Sequence, residues 1–200
     1  MRYTSWDRND RNTPVLLEED GPNRLGVFSD ELARLDGANW QLQVEQSRGI
    51  EAVDAESSQL KLSVEGNLAR ASRLLARVGK REFTLINESG KNWIIDDENG
   101  NKVAQFSGAN RGVRRAILEF DGPTAAGAAA SGPAGAGVGA SGEETRGEET
   151  RGAEALSRDE IIALSFSARM ILESRLSSSA VGIIATLLLC TIVAILAFLF

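Results

Sequence analysis

Histidine does not occur in this 200-residue chain, and cysteine occurs once. The first absence excludes Ser-His and Cys-His nucleophilic pairs and every histidine-ligated metal. The second excludes an internal disulfide and any paired-cysteine metal or redox site. Aromatic residues make up only 6% of the chain, with a single tyrosine. An excess of positive charge is also missing: 22 Lys and Arg face 28 Asp and Glu, for a net charge of −6. That balance argues against a nucleic-acid binder. No G-x-x-x-x-G-K-[ST] phosphate loop is present. The opening residues MRYTSWDRND lack an apolar run, so no secretory signal is expected. No cofactor and no metal site is expected, and without a positioned base the chain reads as non-enzymatic.

What the chain does have is a long apolar run at its C-terminus. Ala180 to Phe200 reads AVGIIATLLLCTIVAILAFLF, with no charge, amide or proline. As a helix these residues reach about 31 Å, the thickness of a bilayer's hydrocarbon core. Thirteen of them are Val, Ile, Leu or Phe, which favours insertion by roughly 4 to 8 kcal/mol. Ala180, Ile184, Leu188, Ile192, Leu196 and Phe200 mark the expected membrane span, a single-pass tail anchor. Arg158, Arg169 and Arg175 flank its N-terminal side, and no Lys or Arg comes after it. The positive-inside rule then places the N-terminal domain in the cytoplasm. The alternative is a helix enclosed in a soluble barrel.

Composition collapses between residues 121 and 156. DGPTAAGAAASGPAGAGVGASG is almost entirely Gly, Ala, Ser and Pro, and a tandem EETRG stands at 143–147 and 148–152. Such a stretch cannot bury enough apolar surface to offset its ordering entropy, so a disordered linker is expected. Order resumes with a capping box, Ser157-Arg158-Asp159-Glu160, in which Ser157 and Glu160 cap a helix over 157–176. Its wide apolar stripe includes Ile161, Ile162, Leu164, Phe166, Ile171 and Leu172. This helix is expected to pack on the front domain, on the membrane surface or on a second copy.

Residues 24–120 read as β, after an N-terminal arm at 1–23. Trp40, Leu42 and Val44 alternate with polar residues, as do Leu60, Leu62 and Val64, then Phe83 and Leu85. Asn99-Gly100 supplies a hairpin signal after Trp93 and Ile95. Segments at 50–55, 102–107 and 113–120 complete about eight strands, with another near Val15 to Leu17. Spacing near ten residues points to an antiparallel barrel or sandwich. Asn67 to Gly79 fits two periods, a short amphipathic helix or a strand with a bend, and its neighbours favour the strand. Asp96, Asp97 and Glu98 lack the alternating spacing of an EF-hand and read as a solvated turn.

The meandering strands, the run Gly79-Lys80-Arg81-Glu82-Phe83-Thr84-Leu85, the Trp93-Ile94-Ile95 strand with its Asp/Gly hairpin and the apolar helix at the domain's end resemble the Tubby C-terminal-like group. That group includes the LURP-one-related and phospholipid scramblase-like proteins. The resemblance covers residues 24–120 and 157–176 and rests on pattern. It implies an antiparallel barrel filled by a C-terminal apolar helix; residues 158–176 are then expected to plug or cap the barrel, docked on or in it, and residues 180–200 to span the bilayer.

The basic run Arg70, Arg73, Arg77, Lys80 and Arg81 is the candidate lipid-binding surface, since each charge near an anionic leaflet contributes about 1 kcal/mol. Arg111, Arg114 and Arg115 form a second cluster. Aromatic residues are not interleaved with these arginines, so no nucleic-acid partner is expected. The expected function is therefore a membrane protein presenting a β module at the cytoplasmic face, with membrane lipids as partners. The alternative is an adaptor that pairs with a protein, or with itself, through helix 157–176.

Overall fold

The computed structural model describes residues 1–7, 9–10, 12–19, 21–89, 92–108, 118–121 and 155–199, with the backbone alone for 177–189, 192–194 and 196–199. Twelve antiparallel strands form a closed barrel. They are β1 (Tyr3–Asp7), β2 (Val15–Glu18), β3 (Arg24–Phe28), β4 (Leu32–Leu35), β5 (Ala38–Glu45), β6 (Gly49–Asp54), β7 (Leu60–Glu65), β8 (Arg73–Val78), β9 (Arg81–Ser89), β10 (Asn92–Asp97), β11 (Lys102–Ser107) and β12 (Leu118–Phe120). Each strand pairs with the next in sequence, and β12 returns to β1 through Tyr3↔Glu119 and Thr4↔Leu118. A single helix, α1 (Arg158–Leu199), completes the described chain.

Strand alternation generates the interior. Trp40 and Leu42, Leu62 and Val64, Leu74, Ala76 and Val78, Phe83 and Leu85, and Trp93 and Ile95 all point inward and are buried. A ring of twelve strands is too wide for its own side chains to fill, whereas about eight close on a packed interior. Here the first half of α1 fills the lumen. Ile161, Ile162, Leu164, Phe166, Ile171 and Leu172 are all buried. Ala33, Ala52, Ala76 and Ala104, each fully buried, leave room for the helix beside the strands. Phe166 stacks on Phe28 at 5.3 Å, and Phe28 meets Trp6 edge-on at 4.9 Å. Burying six large apolar side chains is worth roughly 9 to 18 kcal/mol before entropy is counted. Net stabilities run at about 5 to 15 kcal/mol, so the barrel depends on its plug.

Three expectations are corrected. The sandwich alternative is excluded by ring closure. Residues 1–23 are not an arm: they supply β1 and β2, which close the ring. Their signal was hidden because an inward position of β1 is polar. Thr4 is buried and its hydroxyl meets the Ser165 hydroxyl of α1 at 2.7 Å. Ser165 gives its own proton to the Ile161 carbonyl, so Thr4 is the donor between them. Helix 157–176, expected on or in the barrel, is in it: the strands enclose it. The two expected helices are also one, because α1 continues through Ser177-Ser178-Ser179 without a break. Serine costs a helix only a few tenths of a kcal/mol, so three in a row do not stop one that is nucleated on both sides.

The stretch 67–79 forms a turn and then a strand. The Asn67 side chain accepts hydrogen bonds from the amides of Ala69 and Arg70, and β8 begins at Arg73. Among the described residues no helix is long and apolar enough to cross a membrane. The side chains of Ala180, Ile184, Leu188, Ile192, Leu196 and Phe200 lie outside the described residues. Within that run Cys190, Thr191 and Ile195 are described, and all three are exposed.

Candidate functional site

The helix threads the barrel, so the molecule has an entrance mouth and an exit mouth. At the entrance, the Ser157 amide donates to Glu160 Oε2 at 2.7 Å, and the Glu160 amide donates back to Ser157 Oγ at 3.3 Å. This reciprocal pair satisfies two of the helix's open amides. The same carboxylate reaches outward to the barrel: Arg81 Nη1 lies 3.3 Å from Glu160 Oε2. Both side chains are largely buried, at 15% and 10% exposure. Arg81 also sits 3.8 Å from Glu98 and lies over the Phe83 ring at 5.1 Å. Arg158 pairs with Asp36 at 3.5 Å and Asp159 with Lys61 at 4.0 Å, both across exposed surface. The first turn of α1 is thus fastened to β7, to β9 and to the β4–β5 turn.

At the exit, two arginines of α1 lie on tryptophan rings of the wall. Arg169 stacks over Trp6 at 4.7 Å and donates through Nε to Glu173 at 3.0 Å. Arg175 stacks over Trp93 at 4.6 Å and donates through Nη2 to the Ala71 carbonyl at 2.6 Å. Desolvation pulls the Arg175 guanidinium below its ordinary value; the ring face and the carbonyl make its partial burial tolerable. Beside this collar is a cleft of about 260 Å³. Phe28, Val44, Phe166 and Met170 give it an apolar floor, and Asp30, Arg169 and Glu173 ring it with charge. The collar was legible only in part, since Trp6 fell in the expected arm and Arg175 was counted as a flanking charge.

The five basic residues singled out from the sequence do not form one patch. β8 is extended, so Arg73 at its start and Val78 at its end are about 17 Å apart. Arg70 and Arg73, both exposed, belong to the exit mouth. Lys80 and Arg81 belong to the entrance. Arg77 lies between them on the outer wall, held by Glu65 at 2.9 Å and Glu82 at 2.7 Å. Arg111, Arg114 and Arg115 lie outside the described residues.

The acidic turn is structural. Asp97 is buried, and its carboxylate accepts hydrogen bonds from the amides of Asn99 and Asn101 at 2.9 and 2.8 Å. Burial pushes this carboxyl up, but those bonds and the Asn side chains together outweigh it and hold it below its usual value. Desolvation raises neighbouring Asp96, with Arg73 opposing. Among the described residues no group of three or more His, Cys, Asp or Glu is placed to hold a metal.

The segment expected as a linker, 121–156, is largely outside the described residues, but both of its flanks are fixed. Asp121 pairs with Lys102 at 2.7 Å, and its amide donates to the Val103 carbonyl. Both flanks therefore sit at the entrance mouth. The segment joins β12 to the start of the plug and does not tether the barrel to the apolar stretch at 180–200. The barrel's connection to residues 180–199 is α1 itself.

No family model, no curated protein and no solved structure matches this chain.

Proposed function

We propose that the chain is a non-enzymatic membrane protein, anchored by residues 180–200, that holds a plugged β-barrel at the cytoplasmic face and contacts phospholipid headgroups with it. One observation carries the reading. A single unbroken helix runs from the barrel's core into a 21-residue stretch without charge, and Ile195 in that stretch is 54% exposed. An apolar helix outside its own barrel needs another apolar medium, and a bilayer supplies it. A closed ring of strands around a C-terminal helix supports the likeness to the Tubby C-terminal-like and scramblase-like group. Against the adaptor alternative stands the burial of the apolar stripe from Ile161 to Leu172.

The test is alkaline carbonate extraction of the full chain beside a version ending at Ser179. The full chain should stay with membranes and the shorter one should leave them. If both leave, the anchor is wrong. A version ending before residue 156 is unsuitable, since it empties the barrel. For lipid contact, the version ending at Ser179 should float with anionic vesicles, and Arg70→Glu with Arg73→Glu should weaken that several-fold. Equal flotation of the charge-reversed protein rejects lipid contact through these residues.

A further inference from the structure

We propose that the exit mouth is the membrane-facing end of the barrel, seated against the phospholipid headgroup layer, and that the barrel stands upright with its entrance pointing away from the bilayer. The proposal rests on the anchoring reading above and deepens it by naming the contact surface. Continuity of α1 ties the barrel to the apolar stretch. Arg175 is fastened to the wall near the helix's exit, through Trp93 and the Ala71 carbonyl. From Arg175 to Ala180 the helix rises about 7.5 Å. No loop intervenes to let the barrel swing, because the helical backbone is unbroken from Arg158 to Leu199. The fastening is also double-ended. Glu160 locks to Arg81 at the entrance while Arg169 and Arg175 lock at the exit, so the plug cannot tilt inside the ring. The anchor therefore leaves the barrel at the exit mouth, as the continuation of the plug.

Distances then separate the charges. Arg70 adjoins Ala71, level with Arg175, and so lies within about one Debye length of the headgroups. Ser157 lies about 27 Å back along the helix from Arg175, away from the apolar stretch, which removes Lys80 and Arg81 from the field of the leaflet. Asp10, Asp30 and Glu31 share the exit mouth with Arg48, Arg70 and Arg73, so charge alone does not hold this end down. The helix does, and the two arginines nearest its exit add to it.

The experiment reads which end is near the lipid. Full-length protein carrying Cys190→Ser receives one spin label, at Ser47→Cys in the exposed β5–β6 turn of the exit mouth or at Ala55→Cys in the exposed β6–β7 turn of the entrance. Each is reconstituted in phosphatidylcholine vesicles with one quarter phosphatidylglycerol and a trace of nickel-chelating lipid, with tryptophan fluorescence confirming the fold. Relaxation by the headgroup nickel should be at least several-fold stronger at Ser47→Cys than at Ala55→Cys. Equal relaxation, or the reverse order, in protein that floats with the vesicles overturns the orientation and leaves the anchor standing. Protein that does not float overturns the anchor and the orientation with it.

Discussion

The two halves of α1 are alike in backbone and opposite in surroundings. The first, to Arg175, is enclosed by twelve strands. The second continues the same helix, and its described side chains Cys190, Thr191 and Ile195 are exposed. Polar content tells them apart. The enclosed half carries Ser165, Ser167, Arg169 and Arg175, and each has a stated partner: Thr4, the Ala163 carbonyl, Glu173 with Trp6, and Ala71 with Trp93. A protein interior offers such partners, so polar groups can be buried there. The outer half has no charged residue, as befits a helix whose surroundings would offer none. Apolar composition alone does not say what a helix packs against; the satisfied polar groups do.

The sharpest way to break this comparison is to place a carboxylate in each half. Leu164→Asp should abolish the barrel's cooperative unfolding transition, a loss of about 5 kcal/mol or more, because that position is fully buried and its neighbours one turn away on α1, Glu160, Ile161, Ser167 and Ala168, include no cation. Ile195→Asp should leave the urea midpoint unchanged and release the protein from membranes in carbonate. A shared loss of stability would mean that both halves belong to one core. Truncation gives a milder contrast. Phe166→Ala, which empties the stack on Phe28, should cost about 3 to 5 kcal/mol in urea unfolding. Leu176→Ala, just past the collar and 54% exposed, should cost under about 0.5 kcal/mol.

Smaller again is the entrance latch. Glu160→Gln keeps the capping shape and removes the charge facing Arg81, and should cost about 2 kcal/mol. If it costs nothing, the plug is held by its apolar contacts alone. The smallest effect is acid sensitivity, which should reside in the barrel, since residues 180–200 carry no carboxylate side chain. The folded Asp97 carboxyl sits below its usual value. Its contribution is therefore present above an unfolded value of about 3.9 and is lost as pH falls through the lower, folded value. Asp96 is shifted the other way and partly offsets it. Asp97→Asn should flatten the acid limb of a stability-against-pH curve; an unchanged slope would assign that limb to other carboxylates.

Legibility tracked how local the signal was. β5, β7, β9 and β10 could be read directly because their inward residues, Trp40 and Leu42, Leu62 and Val64, Phe83 and Leu85, and Trp93 and Ile95, are large and apolar. β1 could not, because Thr4 turns inward to a serine 161 positions away. The capping box was visible in four letters, and Ser157 and Glu160 make both of its hydrogen bonds. The second duty of Glu160, holding Arg81, was invisible because 79 residues separate them. The basic run looked like one patch because sequence distance hides extension: a strand carries its charges apart at about 3.3 Å per residue.

By itself the amino-acid order determined the strand alternation, the start of the helix, the charge-free stretch at 180–200 and the exclusion of histidine and disulfide chemistry, since each is set by residue type and spacing within a short window. Tertiary structure decided that the ring closes through β1 and β12, that the first half of the helix fills it, and that Arg70 and Arg73 stand at the opposite mouth from Lys80 and Arg81. Those outcomes depend on which distant segments meet: a twelve-stranded lumen must be filled, and the apolar helix that fills it also sets where the rest of that helix emerges.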